Sequence, residues 1–365
     1  MQIVLFIDCL GSGGAQRQIV VLAKLLKKSG YDVSMLCYHR ANAFYKPDLD
    51  NAGIDTVFCE GSKLLRIHKI RKYLMVKKPD VLIAFQESPA IIAEICKLLG
   101  GKFKLVVSDR NTDLNPKQLT KRIKYFMYKV ADCVTTNSYS QYEVIAGNAP
   151  TLKQKLKVIP NCVDLDVFNT KEPLLNNFNT LLVAASVWPQ KNPLNFIEAI
   201  RILYSKNERL SFKVKWVGKH SCNNDQAILF NKIQESLLNN KMNNILEFTG
   251  VSKDIVEEYR NAKVFCLPSF KEGCPNVIGE AMACGLPILA SNVCDHPKYI
   301  EEGVNGFLFD PCSPDDIAAV IERFWQLTDI EKQKMGENNR NKAEVLFSES
   351  EFTGSYKGVI NGLFE

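Results

Sequence analysis

Two glutamates, Glu272 and Glu280, stand eight positions apart in a stretch that combines an apolar run, a polar loop and a helix start. Backbone N–H groups at a helix start favour an anion, and carboxylates accept hydrogen bonds from hydroxyl groups. The pair therefore suits an anion that also carries hydroxyls, and a nucleotide-sugar is such a ligand. The alternative is that Glu280 is a solvated helix residue and Glu272 a loop charge, because isolated short motifs are weak signals.

The elements around these glutamates are predicted from the same stretch. Residues 264–267 form a short apolar run that predicts a buried parallel strand, and Pro268 ends it. A helix is expected to begin near Pro275 and to end at Gly285, before a second strand at 288–290. A strand, a loop and a helix N-terminus in this order hold phosphate groups in α/β proteins. The further candidate donor-binding residues in this unit are Gly273, Cys274, Asn276 and Val277.

The stretch 268–291 resembles glycosyltransferase family 4. The resemblance is carried by the E-x7-E spacing, by the Glu-Ala-Met-Ala-Cys-Gly-Leu-Pro run that starts at Glu280, and by Ala290-Ser291. It implies an α/β protein of the GT-B architecture, with two Rossmann-like doubly wound domains facing a cleft. It also implies retaining sugar transfer from a nucleotide-sugar, which we expect to be a UDP-sugar. In that scheme Glu272 orients the donor sugar and its developing positive charge, and Glu280 binds the nucleotide ribose.

A glycine-rich turn, residues 11–15, follows a first predicted strand and precedes a helix. The dinucleotide fingerprint fails here, because Gln16 occupies its third small position and the second strand ends in His39 and Arg40 without an acid for a ribose. We therefore exclude a nicotinamide dehydrogenase. The resemblance implies that Gly13 and Gly14 bring backbone amides to the donor phosphate. The alternative is a tight turn that needs glycine for its conformation alone.

Strand-like runs alternate with helical patterns through the first half of the chain, which predicts a parallel sheet. Asp109, Arg110 and Asn111 follow the fifth run, where members of the family often carry a histidine that contacts the acceptor. We expect these three residues to lie in the acceptor site. Arg110 is suited to bidentate contact with an acceptor phosphate or carboxylate, and a surface ion pair is its alternative.

The stretch 159–168 resembles the hinge that joins the two domains in this family. We therefore expect an acceptor-binding domain at 1–165 and a nucleotide-sugar-binding domain at 166–348. Residues 349–365 are expected to form a helix that crosses back to the N-terminal domain.

Three loops of the second domain carry the remaining donor-site candidates. Lys191 matches a family lysine that contacts the diphosphate, although a surface lysine is the alternative. Ser186 stands where the family commonly carries an arginine, so one phosphate contact is lost or replaced. Gly218 follows another predicted strand, and Val251 is expected near the nucleotide base.

Charge is unevenly distributed along the chain. Residues 1–165 hold 25 Lys and Arg against 14 Asp and Glu, whereas the remainder is acidic. A basic first half indicates an anionic partner, and without a nucleic-acid motif we expect a membrane surface or a lipid-linked glycan acceptor rather than nucleic acid. Helix 63–78 is one candidate basic surface. A predicted helix at 117–130 places one stripe of apolar residues beside a basic one, the apolar positions being Leu119, Ile123, Phe126, Met127 and Val130 and the basic stripe being Lys117, Lys121, Lys124 and Tyr128.

No metal cofactor is expected. The two Asp-x-Asp triplets, 48–50 and 164–166, fall in a polar loop and in the hinge, and the four histidines show no metal-ligand spacing. The twelve cysteines are scattered and no run of eighteen apolar residues occurs, so we expect a cytoplasmic protein. The basic first half predicts a peripheral position at the inner face of the membrane. The family resemblance implies a role in cell-surface polysaccharide synthesis. Two alternatives remain open: another GT-B enzyme such as a UDP-sugar epimerase, and a non-catalytic scaffold subunit that binds nucleotide-sugar.

Overall fold

The computed structural model describes residues 1–41, 43–110, 119–170, 179–206, 210–220 and 224–365, with side chains described from residue 122 in the helix that starts at 119. The chain divides into two compact units. The first unit is Met1–Cys162 together with Glu349–Glu365, and the second unit is Val163–Ser348. The division after Cys162 lies within the predicted hinge, three residues before the expected boundary at 165.

The first unit is built on a seven-stranded sheet in which every neighbouring pair is parallel, with strand order β3-β2-β1-β4-β5-β6-β7. The fourth strand is buried along its whole length and the fifth at every residue after Lys104, as expected for a parallel sheet covered on both faces. The strands are β1 (Gln2–Phe6), β2 (Asp32–Cys37), β3 (Asp55–Phe58), β4 (Val81–Phe85), β5 (Lys104–Asp109), β6 (Cys133–Thr136) and β7 (Leu156–Val158).

Helices connect these strands and cover the two faces of the sheet. Buried residues of α1 and α2 share one core with the strands, and those of α3, α4 and α6 share the other. The helices are α1 (Gly14–Lys28), α2 (Lys46–Asn51), α3 (Lys63–Lys77), α4 (Glu87–Leu98), α5 (Leu119–Met127) and α6 (Tyr139–Asn148), with short 3-10 turns at Tyr128–Val130 and Pro150–Lys155.

The second unit repeats this plan with six parallel strands in the order β10-β9-β8-β11-β12-β13. Its strands are β8 (Thr180–Ala184), β9 (Lys213–Val217), β10 (Leu246–Gly250), β11 (Val264–Leu267), β12 (Ile288–Ser291) and β13 (Gly306–Phe309). Its helices are α7 (Pro193–Lys206), α8 (Asn224–Asn239), α9 (Ile255–Arg260), α10 (Asn276–Ala283), α11 (His296–Tyr299), α12 (Pro314–Gln326) and α13 (Asp329–Leu346), with a 3-10 turn at Pro189–Lys191.

The last helix, α14 (Glu349–Asn361), belongs to the first unit although it ends the sequence. It contacts α1, and it buries Phe352, Tyr356 and Ile360 in the same core. These three residues are spaced four apart, so they form one stripe along the helix. The final helix therefore completes the hydrophobic core that begins with the first strand.

The face that α5 presents to solvent differs from the predicted basic stripe. Lys124 and Tyr128 are buried, at 2% and 0% exposure, whereas Ile123 and Phe126 are 54% and 66% exposed. The prediction is wrong at these positions because Lys124 pairs with a buried carboxylate, Asp109, at 2.8 Å. Lys117 lies outside the described residues, as does the side chain of Lys121.

Each sheet has a topological switch point, where successive strands stop being added at one edge of the sheet and begin to be added at the other. It lies between β1 and β4 in the first unit and between β8 and β11 in the second. The carboxyl ends of the strands that flank such a point form the usual ligand crevice of open α/β sheets. In the second unit, the loops that leave β8 and β11 carry Lys191 and Glu272.

Every cysteine that the structure describes is a free thiol, and most are buried. Their role as small apolar core residues is as predicted. Within the described ranges, no helix combines the length and the apolar character needed to span a bilayer.

Candidate active site

Lys191 and Glu272 form a close ion pair at the carboxyl edge of the second sheet. The Glu272 carboxylate also accepts a hydrogen bond from the Ser269 hydroxyl at 2.6 Å, and the residue is only 7% exposed. A carboxylate held by a cation and a hydroxyl has a fixed position and is not a mobile loop charge. Glu272 is therefore a loop charge, as in the alternative interpretation, but a buried one with fixed partners.

The two loops that carry this pair are tied together by Asn192. Its side chain is buried, its backbone is left-handed with φ 58°, and its Nδ2 donates to the carbonyls of Pro268 at 3.0 Å and Pro311 at 2.8 Å. Two further bonds join the same loops, from the Phe270 N–H to the Gln190 carbonyl and from the Gln190 side chain to the Lys271 carbonyl, both at 2.9 Å. The distance between Lys191 and Glu272 is thus set by hydrogen bonds that join the two loops on both sides of the pair.

Glu280 is held by a partner that the sequence did not reveal. It lies in α10 with 3% exposure, and its Oε2 accepts a hydrogen bond from the Tyr259 hydroxyl at 2.9 Å. Tyr259 is fully buried and comes from α9, twenty-one residues earlier. Glu280 is therefore not the solvated helix glutamate of the alternative interpretation. No local periodicity marks Tyr259, because its role depends on a contact between two helices.

The residues between the two glutamates occupy the turn that starts α10. Pro275 is the N-cap in extended conformation, so the helix begins at Asn276, one residue after the predicted position. Cys274 is buried, and its Sγ lies 3.8 Å from the hydroxyl of Tyr299. Gly273, Cys274, Asn276 and Val277 therefore all lie within one short segment that connects Glu272 to the helix of Glu280.

Gly218 and Ser186 lie side by side at the ends of neighbouring strands β9 and β8. A Cβ atom on Gly218, where φ is 156°, would lie 2.0 Å from the Ala185 carbonyl oxygen and 2.9 Å from the Ser186 nitrogen. Only glycine permits this approach. The Gly218 N–H donates to the Gly250 carbonyl at 2.7 Å, which places the next residue, Val251, at the same edge of the sheet with its side chain exposed.

A second residue missed by sequence reasoning is His296, which follows β12. It is fully buried, and its Nδ1 lies 2.8 Å from the Ser291 carbonyl, so the ring donates from Nδ1. Burial lowers the pKa of the imidazole, with Glu272 and Lys191 acting on it in opposite directions. Its Nε2 has no hydrogen-bond partner among the described residues. His296 thus adds a neutral ring within the electrostatic reach of the Lys191–Glu272 pair.

Asp109, an expected acceptor contact, points into the first unit. It is 1% exposed, and its Oδ2 lies 2.8 Å from Lys124 Nζ, 3.1 Å from the Tyr128 hydroxyl and 3.2 Å from Gln141 Nε2. Burial alone would lower the pKa of Lys124, but Asp109 and Glu87 outweigh it and raise that pKa. This geometry gives Asp109 a supporting role beneath the edge of the sheet.

Arg110 is held at four points. Its guanidinium donates to Ser108 Oγ at 3.0 Å, Asn161 Oδ1 at 2.5 Å and the Tyr356 hydroxyl at 2.9 Å, and it stacks over the Phe85 ring at 4.3 Å. No carboxylate pairs with it among the residues that the structure describes, so the surface ion pair is the wrong alternative. The structure brings Asp109 and Arg110 together at the end of β5, and Asn111 lies outside the described residues.

Gly13 and Gly14 begin α1, with Gly13 as its N-cap at φ −84°. Neither glycine has the positive φ that would demand the residue type, so conformation alone does not explain them. Their predicted approach to a donor phosphate stays a prediction.

The two Asp-x-Asp triplets are used locally. Asp50 pairs with Lys46 at 2.6 Å, and Asp164 Oδ1 accepts from the N–H groups of Asp166 and Val167 at 3.2 and 3.0 Å. In the described part of the chain, no three His, Cys, Asp or Glu side chains cluster as a metal ion would require.

Two protein-family models match the sequence, one for each unit. Residues 12–167 match the model described as Glycosyltransferase Family 4, and residues 167–342 match Glycosyl transferases group 1. This chain belongs to glycosyltransferase family 4. As a member, it is an enzyme that transfers sugars, and its two parallel-sheet Rossmann-like domains are those of the GT-B fold.

Two curated relatives match this glycosyltransferase over most of their length. The UDP-Gal:alpha-D-GlcNAc-diphosphoundecaprenol alpha-1,3-galactosyltransferase of Escherichia coli is 26% identical over 351 residues, which cover 90% of this chain and 88% of the relative. The GalNAc-alpha-(1->4)-GalNAc-alpha-(1->3)-diNAcBac-PP-undecaprenol alpha-1,4-N-acetyl-D-galactosaminyltransferase of Campylobacter jejuni is 26% identical over 321 residues, 84% of each chain.

Solved structures show the same fold. A glycosyltransferase from Rickettsia africae superimposes with a TM-score of 0.86 at 20% identity and covers 100% of this chain and 98% of its own. Anabaena HepE in complex with UDP superimposes with a TM-score of 0.85 at 17% identity and covers 99% and 100%. The fold predicted from the sequence is confirmed by these neighbours.

Proposed function

We propose that this glycosyltransferase moves a sugar from a UDP-sugar to a lipid-linked glycan, with retention of anomeric configuration, in the synthesis of a cell-surface polysaccharide. Both curated relatives carry an undecaprenol diphosphate acceptor in their names, and the first also names UDP-Gal as donor. The observation that carries the proposal is the pair of buried carboxylates at one edge of the second sheet, Glu272 held by Lys191 and Glu280 held by Tyr259.

The two carboxylates have different tasks in this proposal. Glu280 accepts hydrogen bonds from the ribose hydroxyls, and Tyr259 fixes its orientation. Glu272 accepts from hydroxyls of the donor sugar and stabilises the positive charge that develops on it. Lys191, already within contact of Glu272, stabilises the negative charge on the departing diphosphate, while the N–H groups from Gly273 to Val277 supply the field of the α10 start.

In the transfer step, the bond between the anomeric carbon and the diphosphate oxygen breaks, and the acceptor oxygen bonds to the same carbon on the same face. The acceptor proton passes to the departing diphosphate oxygen, so no separate protein base is needed. We further propose that no metal takes part, since both Asp-x-Asp triplets hold local bonds and Lys191 supplies positive charge at the diphosphate.

A second cation is expected where the family arginine is replaced by Ser186. Lys219 lies beside this position, because its carbonyl accepts from the N–H of Val187, the residue that follows Ser186, at 2.7 Å. Its side chain is exposed and has no ion-pair partner in the described ranges. We propose that Lys219 replaces the missing arginine at the diphosphate.

The test begins with donor identification. Purified protein is screened by thermal shift against UDP-, GDP- and ADP-sugars, and the stabilising donor is then supplied with a lipid diphosphate glycan acceptor. The anomeric configuration of the product is read by NMR. We expect Glu272→Gln to lower kcat and Glu280→Gln to raise the donor KM, with Glu235→Gln, an exposed glutamate of the same unit, as the matched control. Wild-type turnover in both variants, or an inverted product, would contradict the proposal.

We also propose that the enzyme works in the cytoplasm and docks peripherally on an anionic membrane surface. Free thiols throughout the described residues support a reducing compartment. The exposed basic residues of α3, including Lys63, Lys69 and Lys72, support an electrostatic contact with anionic lipid. Binding to vesicles should require anionic lipid and weaken with salt, and binding that is indifferent to both would remove docking without affecting the transfer reaction.

A further inference from the structure

A cavity of about 440 Å³ lies in the first unit, between the C-terminal ends of α3 and α4. Its apolar lining includes Leu74, Cys96 and Phe103, all buried, together with the side chain of Met75. The volume falls in the range of about 300–1,000 Å³ that holds small ligands. An apolar interior of this size accommodates part of a hydrocarbon chain.

Three cations stand around this cavity: Arg71, Lys78 and Lys102. None of them pairs with a carboxylate among the residues that the structure describes. Arg71 donates from Nη2 to the Leu99 carbonyl at 3.1 Å, while its Nε is buried without a hydrogen-bond partner. Unpaired cations beside an apolar cavity favour a ligand that joins an anionic group to an apolar one.

The surface around the cavity is also apolar. Met75 and Val76 lie in the last turn of α3, Leu98 ends α4 and Leu99 follows it, and all four are more than half exposed. Large apolar side chains grouped on the surface mark an interaction site when a charged rim accompanies them. Cations near a helix C-terminus also offset the helix dipole, but that role needs neither a cavity nor exposed apolar neighbours.

The cavity is separate from the acceptor and donor residues described above. In a parallel sheet, a connecting helix runs back from the carboxyl end of one strand to the amino end of the next. The C-terminal ends of α3 and α4, which lead into β4 and β5, therefore lie at the amino edge of the sheet. Arg110 follows β5 at the opposite edge.

We propose that this cavity binds one anionic membrane lipid, with the head-group phosphate on Arg71 and Lys102 and the first part of an acyl chain against Leu74 and Phe103. The lipid acts as a specific anchor for the first unit. The proposal rests on the peripheral docking proposed above for the source of the lipid, and it is independent of the transfer reaction.

The first experiment uses soluble probes with the full-length protein. Octyl phosphate and hexyl phosphate, each kept monomeric, are titrated by calorimetry, with inorganic phosphate and octanol as probes that carry only the head or only the chain. We expect octyl phosphate to bind about 15-fold more tightly than hexyl phosphate, because each buried methylene adds about four-fold. Inorganic phosphate and octanol should bind at least ten-fold more weakly than octyl phosphate.

The variants separate this cavity from general surface charge. Arg71→Gln and Lys102→Gln each remove a cation that lines the cavity, and each should weaken octyl phosphate at least five-fold. Lys72→Gln removes the same charge from an exposed neighbour on α3 that does not line the cavity, and it should change the affinity less than two-fold. Thermal melting of each variant verifies that it is folded. Equal affinity in wild type, Arg71→Gln and Lys72→Gln would overturn the proposal.

Vesicles then test whether the ligand is a membrane lipid. The vesicles consist of zwitterionic lipid with about 20 mol% anionic phospholipid, which gives a surface charge of physiological order. On these vesicles Arg71→Gln should lose more binding than Lys72→Gln, and octyl phosphate should compete with the vesicles. If vesicle binding falls equally in both variants while octyl phosphate still discriminates between them, the cavity takes a soluble amphiphile and the membrane-lipid assignment is wrong. If docking persists but neither probe distinguishes the variants, docking stands and this site does not.

Discussion

Replacing Tyr259 by phenylalanine tests how Glu280 is held. In the wild type the Tyr259 hydroxyl donates to Glu280 at 2.9 Å. The substitution removes this hydroxyl and leaves the buried ring in place. A hydrogen bond to a charged group contributes about 1.5–3 kcal/mol, and at 3% exposure Glu280 has little access to replacement water. We therefore expect Tyr259→Phe to lower the free energy of unfolding of the second unit by about 2 kcal/mol. A less firmly oriented carboxylate should also weaken UDP binding about ten-fold, or about 1.4 kcal/mol.

The chain offers a selective probe for this measurement. Its three tryptophans, Trp188, Trp216 and Trp325, all lie in the second unit, so the urea transition followed by tryptophan fluorescence reports that unit alone. UDP affinity is measured by calorimetry on the same samples. Tyr204→Phe is the control, because the Tyr204 ring belongs to the same unit but packs against the core on the other face of the sheet, away from Glu280.

Glu280→Gln separates the two readouts. It keeps an oxygen that accepts from Tyr259 but removes the charge, so it should lower UDP affinity more than Tyr259→Phe does and destabilise the unit less. The urea transition and the UDP affinity of Tyr259→Phe could both equal those of the wild type. In that case the hydroxyl does not position Glu280, and the reasoning that assigns the ribose contact to a pre-oriented carboxylate fails.

Three further outcomes follow from the described contacts. Glu94 is fully buried, neither carboxylate oxygen has a partner among the described residues, and burial raises its pKa to about 8. Because the pKa of Glu94 is higher in the folded than in the unfolded state, stability falls as pH rises from about 4.5 to about 8. Glu94→Gln should therefore stabilise the first unit by up to about 3 kcal/mol at pH 7 and by little at pH 5. Hydrogen exchange of β4 and β5 measures this stability, and an unchanged slope of stability against pH would count against the prediction. Gly218→Ala should destabilise the second unit by about 3 kcal/mol, because the added Cβ would lie 2.0 Å from a backbone oxygen. Gly354→Ala on α14 has open space around it and should stabilise the first unit slightly. Equal effects of the two variants in urea unfolding would refute the close-approach argument. Arg110→Lys should cost the first unit about 2 kcal/mol, because lysine cannot reproduce three hydrogen bonds and the Phe85 stack, and a thermal midpoint within one degree of the wild type would contradict this.

The sequence predicted the strands of the site well and the partners of its side chains poorly. The apolar run at 264–267 is β11 to the residue, and the predicted strand at 288–290 is β12 less its last residue. Buried parallel strands are visible in a single sequence because nearly every residue is apolar. Tyr259 and His296 were missed because their roles arise from contacts between elements, which no periodicity encodes.

The face that α5 buries could not be predicted from the sequence either. Helical spacing separates its apolar and basic positions correctly, but spacing does not state which stripe is buried. The buried carboxylate of Asp109 requires a cation, and Lys124 supplies it at 2.8 Å, so the lysine faces inward while Ile123 and Phe126 remain outside. A charge pair here outweighs the simple rule that apolar residues face the core.

The position of α14 has a consequence for how the protein is made. Phe352, Tyr356 and Ile360 fill the core that contains β1, and the Tyr356 hydroxyl completes the contacts of Arg110. The first unit is therefore complete only after α14 has been synthesised, and α14 follows the whole second unit in the chain. On the ribosome, residues 163–348 emerge before α14, so the second unit can reach its final form before the first unit does. A chain cut short before residue 349 would therefore be exposed to proteolysis at its beginning, not at its end.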